Sequence, residues 1–114
     1  MKKRNVLPND LFGKEFNLTE AEIAGITSKL LNIFEVASPN YFTHRSYRKD
    51  IREIILACIK EHYVDQLTFQ EIGEKRNRSA DLARQWVIRG MGVIRKQKLT
   101  KELYKEYLEG KEIL

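Results

Sequence analysis

The chain has 114 residues, which suits one domain with a single hydrophobic core. Its longest apolar run, residues 54–59, is far shorter than the ~18 residues of a membrane span, and the basic residues 1–4 are not followed by the apolar core of a secretory signal. One cysteine allows no internal disulfide and is too little for a zinc site. We therefore expect a cytoplasmic protein with no membrane partner, metal or other cofactor.

The positive charge is concentrated in one segment. The chain has a formal net charge of +5, and residues 67–98 alone carry eight Lys or Arg against three Asp or Glu. The remaining segments balance to zero together. A local excess of this kind is typical of a surface that meets phosphates.

In chain order, residues 1–18 mix a basic tip with Pro, Asn, Asp and Gly and show no sustained period. They predict a flexible N-terminal arm, which Leu11, Phe12 and Phe16 would dock on the core. Insertion of the basic tip into a DNA minor groove is the alternative. Residues 19–114 are interpreted as one helical DNA-binding domain.

Two long helices are predicted next. The first covers about residues 20–36, begins with a capping box formed by Thr19 and Glu22, and ends at the Ser-Pro-Asn of residues 38–40. The second covers about residues 46–63, with Lys60 and Glu61 among the side chains assigned to its polar side. The first helix is interpreted as scaffold.

Cys58 and His62 lie four residues apart on the apolar side of the second helix. A metal site or a thiolate–imidazole couple is one interpretation of that spacing. A packed core is the preferred one, because no third ligand or orienting carboxylate accompanies the pair.

Residues 67–98 predict a helix-turn-helix. Thr68 and Glu71 form a second capping box, and the short helix that they begin ends near residues 75–76. Asn77 tolerates the left-handed backbone of a tight turn, and Ser79 is a good cap for the following helix.

The helix after Ser79 separates into two sides. The positions expected to be buried are Ala83, Trp86, Val87, Gly90, Met91 and Ile94. Those expected to face outward are Ala80, Asp81, Arg84, Gln85, Ile88, Arg89, Arg95 and Lys96. Arginine pairs with guanine and glutamine with adenine in the major groove, so the outward side predicts DNA recognition. Gly90 and Gly92 conflict with helix propensity.

A family resemblance rests on this segment. The residues that carry it, without a gap, are Thr68, Glu71, Ile72, Gly73, Ser79, Arg84, Gln85, Arg89, Ile94 and Arg95. They resemble region 4 of bacterial primary sigma factors, the helix-turn-helix that reads the −35 promoter element. The resemblance implies a bacterial or phage regulator whose base-reading positions are Ala80, Asp81, Arg84 and Gln85, with Ala80 in place of the family's usual arginine.

A looser resemblance extends further upstream. The residues that carry it are Ile26, Thr27, Ser28, Tyr47, Arg52, Glu53, Ile55, Ile72, Lys75, Asn77, Ser79 and Ala80. They look like the DNA-binding effector domain of the master sporulation response regulator of Gram-positive spore formers. That resemblance also implies an all-helical domain that binds DNA through a helix-turn-helix.

The last predicted element is an amphipathic helix over residues 100–109, stopped by Gly110. Capping of the core is its preferred role, and a homodimer contact is the alternative. The whole chain is therefore expected to form a compact all-α bundle of about five helices that contains a helix-turn-helix.

The functional hypothesis is a sequence-specific regulator of transcription that binds double-stranded DNA. The base-reading residues would be Asp81, Arg84, Gln85 and Arg89, and the phosphate contacts would be Thr68, Lys75, Arg76, Arg78, Arg95 and Lys98. The alternative is a protein-interaction module that binds RNA polymerase or another regulator without reading DNA. We do not expect an enzyme, because the sequence has no paired carboxylates and no glycine-rich phosphate loop.

Overall fold

A computed structural model describes residues 4–44, 47–48 and 50–113. Within these residues the chain is all-α, as predicted, and its only β-type pairing is an isolated bridge between Phe16 and Glu112. Six helices follow in order: α1 Leu7–Phe12, α2 Glu20–Ala37, α3 Ile51–Tyr63, α4 Phe69–Glu74, α5 Ala80–Arg95 and α6 Lys98–Leu103. The predicted number was about five, and α1 is the additional helix.

The N-terminal segment is packed from residue 4 onward, which corrects the prediction of a flexible arm for residues 4–18. Leu11 and Phe16 are buried and Phe12 packs against the core, so the predicted docking by these side chains is confirmed. Leu7 and Leu11 of α1 are almost completely buried, and the proline after Leu7 is tolerated in the first turn of a helix. The backbone carbonyl of Leu11 accepts a bond from Nε of Arg95, and Asp10 accepts one from the hydroxyl of Tyr63. A six-residue helix is too short to reveal a period in the sequence. Residues 1–3 lie outside the described part.

The first long helix, α2, confirms its prediction. The side chain of Thr19 accepts a bond from the backbone N–H of Glu22, whose carboxylate accepts one from the backbone N–H of Thr19. Both halves of the capping box are therefore present. The helix ends at Ala37, one residue later than expected, and a short 3₁₀ turn over Ser38–Asn40 follows.

Two other helices differ from prediction at their ends. Helix α3 begins at Ile51 rather than at Ser46, and residues 45, 46 and 49 lie outside the described part. The predicted C-terminal helix becomes α6, then a π-helical turn over Tyr104–Leu108 and a 3₁₀ turn over Glu109–Lys111. Leu103 and Leu108 are buried, as expected of a segment that covers the core.

Helix α5 lies at the centre of the fold and packs against α2, α3 and α4. Its contact with α3 depends on Gly90, because a Cβ atom there would lie 2.5 Å from Cδ1 of Ile59 and 2.7 Å from Cγ2 of Ile55. That close approach explains why this helix contains a glycine despite its poor helix propensity. A Cβ atom at Gly92 would meet nothing within 4 Å, so no packing reason accounts for that glycine.

No helix in the described ranges combines the length and the apolar character that crossing a bilayer requires.

Candidate nucleic-acid interface

Helices α4 and α5 form a capped pair joined by a tight connection. The side chain of Thr68 accepts from the backbone N–H of Glu71 at the start of α4, and that of Ser79 accepts from the backbone N–H of Leu82 at the start of α5. Both predicted caps are confirmed. Asn77 has a φ of 54°, so it takes the left-handed conformation expected of it.

The connection folds closely over Gly73 of α4. A Cβ atom at this position would lie 2.6 Å from the carbonyl oxygen of Arg78 and 2.7 Å from that of Ser79. The backbone N–H of Arg78 donates to the carbonyl of Gly73 at 2.8 Å. Only glycine fits this close approach of two backbones, and it sets where α5 begins relative to α4.

The two sides of α5 have the predicted orientation. The buried residues are Ala83, Trp86, Val87, Gly90, Met91, Val93 and Ile94. Residues Asp81, Arg84, Gln85 and Arg89, which were predicted to read bases, are all exposed. Ile88 lies among them with 50% of its surface exposed. The outward side therefore presents cationic, amide and apolar groups together.

Three of these outward residues are bonded to one another. Arg84 donates from Nη2 to Oδ1 of Asp81 at 3.0 Å, and Gln85 donates from Nε2 to Oδ2 of Asp81 at 2.8 Å. The hydrogen bond from Arg84, followed by that from Gln85, lowers the pKa of the Asp81 carboxyl below its ordinary value. Asp81 is therefore a negatively charged acceptor for both of its neighbours.

The six predicted phosphate contacts fall into different environments. Thr68, Lys75, Arg78, Arg95 and Lys98 are exposed residues. Nζ of Lys75 lies 3.5 Å from Oε1 of Glu61, and Nε of Arg95 donates to the carbonyl of Leu11. Each of these two residues therefore also has a role in the fold. The hydroxyl of Thr68 accepts in the N-terminal cap of α4.

Arg76 is the exception, because its guanidinium is bonded inside the protein. Its guanidinium bonds both carboxylate oxygens of Glu61, at 2.8 and 2.6 Å, and donates a third bond to the carbonyl of Ile72 at 3.2 Å. The Arg76 side chain is 21% exposed. These bonds use three of the five N–H groups of the guanidinium and fasten the end of α4 to α3, so a phosphate contact by Arg76 stays a prediction.

The prediction that Glu61 lies on the polar side of α3 was also wrong. It is buried, and the hydrogen bond from Arg76 lowers the pKa of its carboxyl below the ordinary value. The available signal was its spacing: Glu61 follows Cys58 by three residues, so it continues the buried side of the helix.

Cys58 and His62 pack as part of the core. Burial raises the pKa of the Cys58 thiol to about 11, which disfavours a thiolate at neutral pH. The His62 ring stacks on Phe69 with 4.1 Å between ring centroids, and its Nδ1 lies 2.7 Å from the carbonyl of Leu67. Among the described residues, no three His, Cys, Asp or Glu side chains come together as metal ligands.

The bonds that Arg84 and Gln85 donate to Asp81 were not predicted either. The spacing of Asp81, three to Arg84 and four to Gln85, was the readable signal, because side chains so separated are neighbours on a helix.

Comparison of the chain with protein-family models, with curated proteins and with solved structures found no match in any of the three.

Proposed function

We propose that this chain is a regulator of transcription that binds double-stranded DNA, with α4 and α5 acting as a helix-turn-helix and α5 lying in the major groove. The observation that carries the proposal is the two-sided character of α5. One side is packed in the core, while the other presents Arg84 and Gln85 to solvent within a segment whose charge is strongly positive.

The exposed groups suit the edges of base pairs. Arg84 has the planar donor fork that binds O6 and N7 of guanine, and Gln85 has the donor and acceptor that match adenine. Arg89 follows one turn later on the exposed side. Ile88, half exposed beside them, offers an apolar surface to the methyl group of thymine.

Phosphate contacts would flank this side of α5. Arg78 lies immediately before the cap of α5 and Lys98 lies just after the helix ends, and both are exposed. Thr68, Lys75 and Arg95 are further exposed candidates. Such contacts orient a protein on the duplex without reading its sequence.

The first test selects duplexes from a random pool and measures affinity over a range of salt concentrations. Arg84→Ala is expected to cost ~1–3 kcal/mol at one base pair and to relax the preference there. Arg78→Ala is expected to weaken all duplexes alike and to reduce the salt slope by about one. Lys105→Ala removes an exposed cation outside the α4–α5 pair and serves as the control. Parental binding by both Arg84→Ala and Arg78→Ala would contradict the proposal.

A protein partner is the second candidate, in which the chain binds RNA polymerase or another regulator. The exposed apolar side chains of Ile88 and Leu99 favour it, because they offer area to a protein surface. Binding of DNA that is absent, or that does not weaken steeply with added salt, would favour this candidate.

A further inference from the structure

The carboxylate of Asp81 accepts from two side chains at once. Nη2 of Arg84 lies 3.0 Å from one of its oxygens, and Nε2 of Gln85 lies 2.8 Å from the other. All three residues face outward on the first two turns of α5, and the side chains of Arg84 and Asp81 are 52% and 63% exposed. The bonds therefore form on the surface that the proposed function places against DNA.

We propose that Asp81 is a positioning residue that fixes the orientation of Gln85 and Arg84, so that Gln85 selects adenine over guanine. This inference rests on the proposed function and deepens it. It also changes the role expected of Asp81, which the sequence assigned to direct reading of a base.

The orientation of Gln85 follows from the chemistry of its amide group. An ionised carboxylate only accepts hydrogen bonds, so it fixes the amide with Nε2 toward Asp81 and Oε1 away from it. One N–H and the carbonyl oxygen of the amide then remain for a ligand. Adenine presents one acceptor and one donor in the major groove, whereas guanine presents two acceptors. The remaining groups of Gln85 match adenine.

Without the carboxylate, this selection is lost. Both N–H groups of the Gln85 amide become available, and the amide is free to rotate so that Oε1 and Nε2 exchange positions. Gln85 can then donate to the two acceptors of guanine as well as bind adenine. Removal of Asp81 should therefore relax the choice between the two purines rather than abolish binding.

Arg84 gains orientation by the same contact. Its bond to Asp81 uses Nη2, and a guanidinium has five N–H groups, so the others remain for guanine. A bonded guanidinium also loses less freedom when it binds than a freely rotating one. A negative charge on a DNA-facing surface repels phosphates, so an orienting function accounts for its presence there.

A purely structural role predicts a different result. Asp81 lies in the first turn of α5, where a negative charge stabilises the helix through its dipole. Loss of that effect would lower the stability of the protein. It would leave the ratio of affinities for two duplexes unchanged, since both are bound by the same folded chain.

The experiment uses the selected duplex and its variants with adenine or guanine at the base pair that Gln85→Ala identifies. The parent is expected to prefer adenine by roughly tenfold, within the range for a bidentate pair. Asp81→Ala is expected to reduce that preference by about two- to fivefold, which is the scale of an exposed charged contact. Asp81→Asn, which keeps one accepting oxygen, should retain part of it. In a Gln85→Ala background, Asp81→Ala should change the preference no further.

Asp65→Ala is the control, since it removes the same charge from an exposed residue between α3 and α4. An unchanged purine preference in Asp81→Ala would overturn the inference. So would the loss of preference at a base pair that neither Arg84→Ala nor Gln85→Ala affects, because Asp81 would then read DNA itself. In both cases the proposed function would stand. A chain that selects no duplex would overturn the proposed function and this inference together.

Discussion

Two arginine–carboxylate pairs, Arg76–Glu61 and Arg84–Asp81, lie in or beside the α4–α5 unit, and their surroundings differ. The first joins α3 to the end of α4 through two short bonds, and its side chains are 21% and 10% exposed. The second lies within one helix, and its side chains are 52% and 63% exposed. The inner pair holds the fold together, while the outer pair remains accessible to a ligand.

This difference shows that the positively charged side chains of residues 67–98 do not all belong to one exposed surface. A buried charge must keep its partner, because water cannot replace it, whereas an exposed charge exchanges partners at small cost. Arg76 therefore belongs to the scaffold and Arg84 to the candidate interface.

Arg76→Ala should lower the free energy of unfolding by about 3 kcal/mol, because it leaves the carboxylate of Glu61 nearly buried without its main partner. Arg84→Ala is the matched control and should change it by less than about 1 kcal/mol, since its pair is open to water. Urea unfolding monitored by circular dichroism measures the free energy of unfolding of both variants. Equal losses in the two variants would contradict the distinction between an inner and an outer pair.

The two glycines of α5 differ in how closely they are packed. Gly90→Ala should destabilise the protein by about 1 kcal/mol or more, because its Cβ would press on Ile55 and Ile59 and overpacking outweighs the gain in helix propensity. Gly92→Ala should stabilise it by up to ~1 kcal/mol, since the added methyl group meets nothing within 4 Å. Thermal unfolding of the two variants decides the sign. Stabilisation by both substitutions would mean that α3 and α5 do not approach closely at Gly90.

The sequence revealed what depends on near neighbours in the chain. The caps at Thr19, Thr68 and Ser79 and the turn at Asn77 use groups within a few residues, so their spacing is visible. The two sides of α5 follow in the same way from the helical period.

What the sequence did not reveal depends on partners far along the chain. Arg76 and Glu61 are fifteen residues apart, and no local pattern pairs them. Helix α1 is stabilised by the bonds of Leu11 to Arg95 and of Asp10 to Tyr63, which only the folded chain brings together. The bonds of Asp81 are different, because its spacing to Arg84 and Gln85 made them readable from the sequence. The DNA contacts themselves remain predictions, because base reading depends on the duplex.

Acid titration compares the carboxylates of Glu61 and Asp81 and should have the smallest effect on stability. Hydrogen bonding by Arg76 lowers the pKa of Glu61 below its ordinary 4.5, so Glu61 contributes stability above that pH. The contribution is lost as pH falls through the lowered pKa. The parent should therefore lose stability in acid more steeply than Arg76→Ala, in which the main cause of the lowered pKa is gone.

The pKa of Asp81 is also lowered, but water screens this exposed group, so Arg84→Ala should follow the parental curve. The free energy of unfolding, measured by urea at a series of pH values from neutral to acid, tests both curves. A parental slope in Arg76→Ala would show that Glu61 does not depend on Arg76, and the inner pair would then lose its assigned role.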